Sequence, residues 1–117
     1  MGAIKIIDTA TVLVADRAVT IPGGGAHSSI QFYVDVTAIT RTTGTLAVTL
    51  RWHSADGTDV EIATLAGLTA TGISRLVPTA NVFNLVTQAI PEPNEVLWDL
   101  DGDTTAVSGK IYAMYGD

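Results

Sequence analysis

The stretch Ile30-Gln31-Phe32-Tyr33-Val34-Asp35-Val36-Thr37 decides the fold. Successive side chains of an extended strand point to opposite faces, so Ile30, Phe32, Val34 and Val36 share one face. Gln31, Tyr33, Asp35 and Thr37 share the other. Downstream of Arg41-Thr42-Thr43-Gly44 the same period returns, with Leu46, Val48, Leu50 and Trp52 on one side and Thr45, Thr49, Arg51 and His53 opposite. Ser54-Ala55-Asp56-Gly57-Thr58-Asp59 reads as a hairpin loop in which Asp-Gly supplies the positive-φ position. Val60 and Ile62 begin the return strand, with Glu61 outside.

Further out the signal is weaker. Gly72 to Val77 is a short strand with Ile73 and Val77 expected inward, stopped by Pro78. Thr79 to Asn94 carries Val82, Phe83, Leu85, Val86 and Ile90 without clean alternation, so a strand, a packed loop and a helical turn all remain open. Val96, Trp98 and Leu100 form a penultimate strand. After the turn Asp101-Gly102-Asp103, residues Val107, Gly109, Ile111, Ala113 and Tyr115 alternate towards the C-terminus. Upstream, Thr11 to Ile21 is an extended stretch bent at Ala15-Asp16-Arg17 and closed by Pro22-Gly23-Gly24-Gly25. Before it, Met1 to Thr9 either joins the sheet through Ile4 and Ile6 or reaches onto a neighbouring subunit as an added strand.

Composition agrees with this period. The chain of 117 residues holds 17 Thr, 12 Val and 10 Ile, side chains whose branched Cβ suits a pleated sheet better than a helical turn. The expectation is a single all-β domain over residues 1–117, an antiparallel β-sandwich of about 7–8 strands, immunoglobulin-like or jelly-roll-like. Residues 1–21 form an N-terminal arm or a first strand. Phe32, Leu46, Val48, Leu50, Trp52, Val96, Trp98 and Ile111 are the expected core. Trp52 on a central strand is the immunoglobulin-like feature, an architectural likeness only, since the chain has no cysteine.

Several function classes are excluded at this level. Without Cys there is no disulfide framework, thiolate nucleophile or Cys-based zinc site. Twelve acidic residues against six basic ones, a formal charge of −6, argue against a nucleic-acid surface. No apolar run approaches the roughly 20 residues of a membrane helix. The N-terminal apolar stretch is too short for a secretory core, and Ile6 stands where a myristoylation motif wants Ser or Thr. A soluble protein without membrane or nucleic-acid partners is expected.

Catalytic motifs are likewise missing. His27 and His53 form no paired metal motif. Gly72-Ile73-Ser74-Arg75-Leu76 lacks the second glycine of a nucleophile elbow, and Gly23-Gly24-Gly25 is followed by no Lys-Ser/Thr. The chain is expected to be non-enzymatic, with no cofactor. Asp99, Asp101 and Asp103 form an acidic series, but Thr104 and Lys110 occupy the positions where a calcium-binding loop needs Gly and Glu. A hairpin turn is the favoured reading of this series. Ca²⁺ bridging these acids, with Asp56 or Asp59 from another loop, is the alternative. Candidate interface residues are Ile4 and Ile6 together with Val82, Phe83, Leu85, Val86 and Ile90. The tyrosines Tyr33, Tyr112 and Tyr115 are the residues on which a sugar ring would stack.

The succession Val34-Asp35-Val36-Thr37-Ala38-Ile39-Thr40, then Gly44-Thr45-Leu46-Ala47-Val48-Thr49-Leu50, then Ser54-Ala55-Asp56-Gly57-Thr58 resembles small structural proteins of tailed-bacteriophage virions. So does the later order Ile62-Ala63-Thr64-Leu65, Gly72-Ile73-Ser74-Arg75-Leu76 and Val96-Leu97-Trp98-Asp99-Leu100-Asp101-Gly102. The likeness covers about residues 30–115. It implies a head-decoration (cement) protein: compact, mostly β, non-enzymatic, and located on the capsid surface of the virion after synthesis in a bacterial cytoplasm. Its implied partners are further copies of itself, as in a trimer, and the phage major capsid protein. Met1 to Ile21 would take the place of the segment that lies along the shell in such proteins. Glu95 to Asp103 departs from the pattern in being more acidic. A carbohydrate- or receptor-binding module of a tail or fibre is the alternative function.

Overall fold

The computed structural model describes residues 3–21, 29–76 and 93–116, and among these there are eight strands and no helix. They are β1 (Ala3–Leu13), β2 (Arg17–Thr20), β3 (Ser29–Thr40), β4 (Leu46–His53), β5 (Asp59–Leu68), β6 (Gly72–Leu76), β7 (Glu95–Leu100) and β8 (Ala106–Gly116). All pairings are antiparallel: β1 with β8, β2 with β7, β3 with β6 and β4 with β5. Further pairings of β3 with β8 and β4 with β7 complete sheet A, β1-β8-β3-β6, and sheet B, β2-β7-β4-β5. This nesting, first with last and so inward, is what results when one long antiparallel hairpin folds over itself into two sheets. The β-sandwich is therefore wound as a jelly roll, and the immunoglobulin-like alternative is set aside.

Alternation fills the interior as the period demands. Phe32, Val34 and Val36 of β3, Leu46, Val48 and Leu50 of β4, Val96 and Trp98 of β7, and Val107, Ile111 and Ala113 of β8 are all buried. Each large side chain here contributes about 1.5–3 kcal/mol of apolar burial, set against chain entropy. Trp98 is the largest of the fully buried side chains. Its indole N–H donates to Asp8 Oδ2 at 2.8 Å, and Asp8 Oδ1 accepts from Arg17 Nη2 at 2.7 Å. Asp8 is itself buried, so its charge is tolerated because both oxygens are occupied. Since β1 belongs to sheet A and β2 and β7 to sheet B, this trio pins the two layers together.

Three expectations need correcting. Trp52 is 36 % exposed and is not part of the core; β7 begins at Glu95, opposite Arg51, so Trp52 projects beyond the end of that neighbour. Ile73 is 70 % exposed and Leu76 is buried instead, because pairing Leu76 with Phe32 and Ser74 with Val34 sets the phase of β6. Val77 lies outside the described residues. Thr11 to Ile21 is not one bent strand: the break at residues 14–16 passes the chain from β1 in sheet A to β2 in sheet B. The segment beginning at Ala3 joins the sheet against β8.

The acidic turn after β7 is structural. Asp103 accepts backbone N–H bonds from Thr42 at 3.1 Å, Thr43 at 2.9 Å and Gly44 at 2.5 Å. These donors hold its pKa at about 2, below the ordinary 3.8, because they favour the charged form. A depressed folded-state pKa contributes stability that is complete above about pH 4 and fades as pH falls towards 2. Asp103→Ala is expected to lower the melting temperature at neutral pH. It should also flatten the loss of stability between pH 4 and 2, in a series of thermal melts.

Candidate functional site

The outer face of sheet A carries the strongest departure from an ordinary solvated sheet. Such a face normally alternates to polar residues. Here Ile4 and Ile6 of β1, Met114 of β8 and Ile73 of β6 are exposed, and Tyr33 and Tyr112 are half-buried between them. Strand register puts them in rows. Ile6 lies opposite Tyr112, Tyr112 opposite Tyr33, and Tyr33 opposite Arg75; Ile4 lies opposite Met114, and Met114 opposite Gln31. Ile4, Tyr33, Ile73, Tyr112 and Met114 line a shallow apolar depression of about 260 Å³. The Tyr33 hydroxyl donates to Gln31 Oε1 at 2.7 Å.

Charged groups border this floor. Asp35 is opposite Lys110 on one side and Ile73 on the other. Neither Arg75 nor Lys110 makes an ion pair with a described residue. The face therefore combines exposed carbon with two available cations on a chain whose overall charge is −6.

Sheet B presents the opposite character. Arg51 of β4 bridges Glu95 of β7 and Asp59 of β5, and the His53 Nδ1 position meets Asp59. His53, Asp59 and Glu95 offer ligand atoms within 4.8 Å of one another, a spacing a divalent ion could use. The Arg51 guanidinium already contacts both carboxylates of that cluster, so its chemistry is that of a surface ion-pair network. At the other end of β7, the Asp99 carboxyl is pushed above the usual range, first by desolvation and then by the charges of Asp101 and Asp16.

Ile4 and Ile6 thus fall on the apolar face, and Tyr33 and Tyr112 form its centre. The other interface candidates, Val82, Phe83, Leu85, Val86 and Ile90, lie outside the described residues, as does His27. Asp99, Asp101 and Asp103 do not gather as a ligand set: Asp103 turns onto the backbone of residues 42–44. Asp56 is likewise engaged by the Thr58 N–H at 2.9 Å and by Ser54 in its own hairpin. Ile73, Arg75, Lys110 and Met114 were not legible as site residues. The side taken by Ile73 and Arg75 depends on register with β3; Lys110 and Met114 fall outward by alternation with Ile111 and Ala113, but nothing local places them beside Tyr33. No family model, curated protein or solved structure matches this chain.

Proposed function

We propose that the chain is a non-enzymatic structural protein of a bacteriophage particle, a capsid-decoration (cement) protein that stabilises the shell by bridging subunits. The observation that carries this reading is the apolar outer face of sheet A, centred on Tyr33, Tyr112 and Met114. Exposed apolar patches of this kind mark partner surfaces. The interior between the described strands is filled by Trp98 and its aliphatic neighbours. Jelly rolls are a common scaffold of viral capsid domains, an analogy of fold that adds support without fixing function. A protein present in many copies needs only modest contacts at each site, since linked contacts multiply.

Protein-composition analysis of particles purified from cells making the chain tests this directly. It is expected in stoichiometric proportion to shell subunits, and particles stripped of it should rupture at lower temperature. Its absence from particles overturns the reading. The Tyr33–Tyr112 pair favours a second function, carbohydrate binding by ring stacking. Absence from particles together with a glycan-array hit abolished by Tyr112→Ala would transfer the assignment to that function.

A further inference from the structure

We infer that copies of this chain associate head to tail, the outer face of sheet A in one copy seating on the outer face of sheet B in the next. This rests on reading the sheet A face as an assembly surface and names what covers it. The argument is one of complementarity between two faces of the same molecule. On sheet A, Arg75 and Lys110 flank the apolar floor and lack ion-pair partners among the described residues. On sheet B, the outward positions of β7 are Glu95, Leu97 and Asp99, alternating with buried Val96 and Trp98. Thr49 and Leu97 lie opposite each other, with Thr64 beyond Thr49 and exposed Glu61 opposite Arg51.

Sheet B therefore offers a weakly polar centre of Leu97, Thr49 and Thr64 between acids at either end. Glu95 is matched by Arg51, but Glu61 has no cation partner among the described residues. Asp99 makes no ion pair with a described residue, and the like charges of Asp101 and Asp16 lie near it. Two strand spacings and two residues separate Arg75 from Lys110, about 12 Å; two spacings and four residues separate Glu61 from Asp99, about 16 Å. Long flexible side chains span that difference. A sheet A face placed on a second sheet A face would offer Arg75 and Lys110 a single carboxylate, Asp35, which already lies opposite Lys110 in its own sheet, whereas sheet B offers both Glu61 and Asp99.

Such a contact is heterologous, so it does not close on two copies and propagates to rings or open stacks. A four-stranded face about 19 Å wide is smaller than a standard stable interface, so the association is concentration-dependent. At about 0.15 M salt the Debye length is near 8 Å, which screens repulsion between copies of charge −6 while leaving contact pairs effective.

Sedimentation velocity of the isolated protein at that ionic strength tests the inference, with concentration raised to about 1 mM. The wild type should form species larger than dimers. Arg75→Glu/Lys110→Glu, which breaks only the sheet A face, should be monomeric, and so should Glu61→Lys/Asp99→Lys, which breaks only the sheet B face. Mixed one to one, the two variants retain one intact face each and should form heterodimers that grow no further. Matching circular dichroism spectra confirm folding, and Glu61→Lys alone, at an exposed site, is the second sheet B variant. A monomeric wild type overturns the inference. So does a folded sheet B variant that associates like wild type, which would assign sheet A to a different partner. These measurements use no shell, so failure to enter particles and failure to self-associate are read separately.

Discussion

Trp98→Ala should destabilise the fold by about 3–5 kcal/mol, the range for truncating a large buried aromatic side chain. Trp98 is fully buried in the core between the sheets. Its removal would leave a cavity that flanking strands can only partly close. The same substitution strips Asp8 of the indole donor at 2.8 Å while Asp8 remains inside. Trp98→Phe separates the two effects: it keeps most of the ring and loses the hydrogen bond, so a cost of about 1–3 kcal/mol is expected. Urea denaturation followed by circular dichroism measures both. Equal losses for the two variants would mean that the hydrogen bond, not the volume, dominates.

Gly109→Ala is the second substitution with a large expected effect. A Cβ at Gly109 would fall within contact distance of the Asp35 carbonyl oxygen and 3.2 Å from Val36 Cα. These are backbone atoms of β3, which cannot rotate aside as a side chain can. Gly109 lies opposite Val36 where the β3·β8 register shifts between Val36 and Ala38. The glycine thus sits where the backbone of β3 leaves no room for a side chain on β8. Separating them should cost about 3 kcal/mol, at the upper end of overpacking effects. Hydrogen exchange is the informative readout: amides of β3 and β8 should lose protection together, while those of the β4–β5 hairpin keep more of theirs.

Strand identity was largely legible in the sequence, because alternation is a local signal. β3, β4, β7 and β8 were readable from their own residues, and Asp56-Gly57 and Asp101-Gly102 marked turns whose glycines do adopt positive φ, +90° and +63°. Side choice in a short strand was not legible. In Gly72-Ile73-Ser74-Arg75-Leu76 both Ile73 and Leu76 offer an inward phase, and pairing with distant Phe32 selects Leu76. Trp52 was misread for a related reason: its alternation is regular, but the neighbour that would cover it begins one residue too late. The Asp8–Trp98–Arg17 tie was invisible because its Asp8–Trp98 bond joins residues 90 positions apart, and Arg17, only 9 positions from Asp8, lies in the other sheet. The apolar face was half visible, through Ile4, Ile6, Tyr33 and Tyr112, while its cationic border needed the register of β6 and β8.

The nested strand pairing makes the order of events in folding consequential. The β4–β5 hairpin joins neighbours in sequence, whereas β1 must wait for β8, the last of the described strands in chain order. Loop-closure entropy delays such distant pairings, so the outermost pair is expected to zip up after the inner ones. The apolar floor draws Ile4 from β1 and Tyr112 and Met114 from β8. It therefore does not exist as a surface until that final pairing is made. A partly synthesised or partly folded chain would lack the complete floor, so this face is itself a product of finished folding.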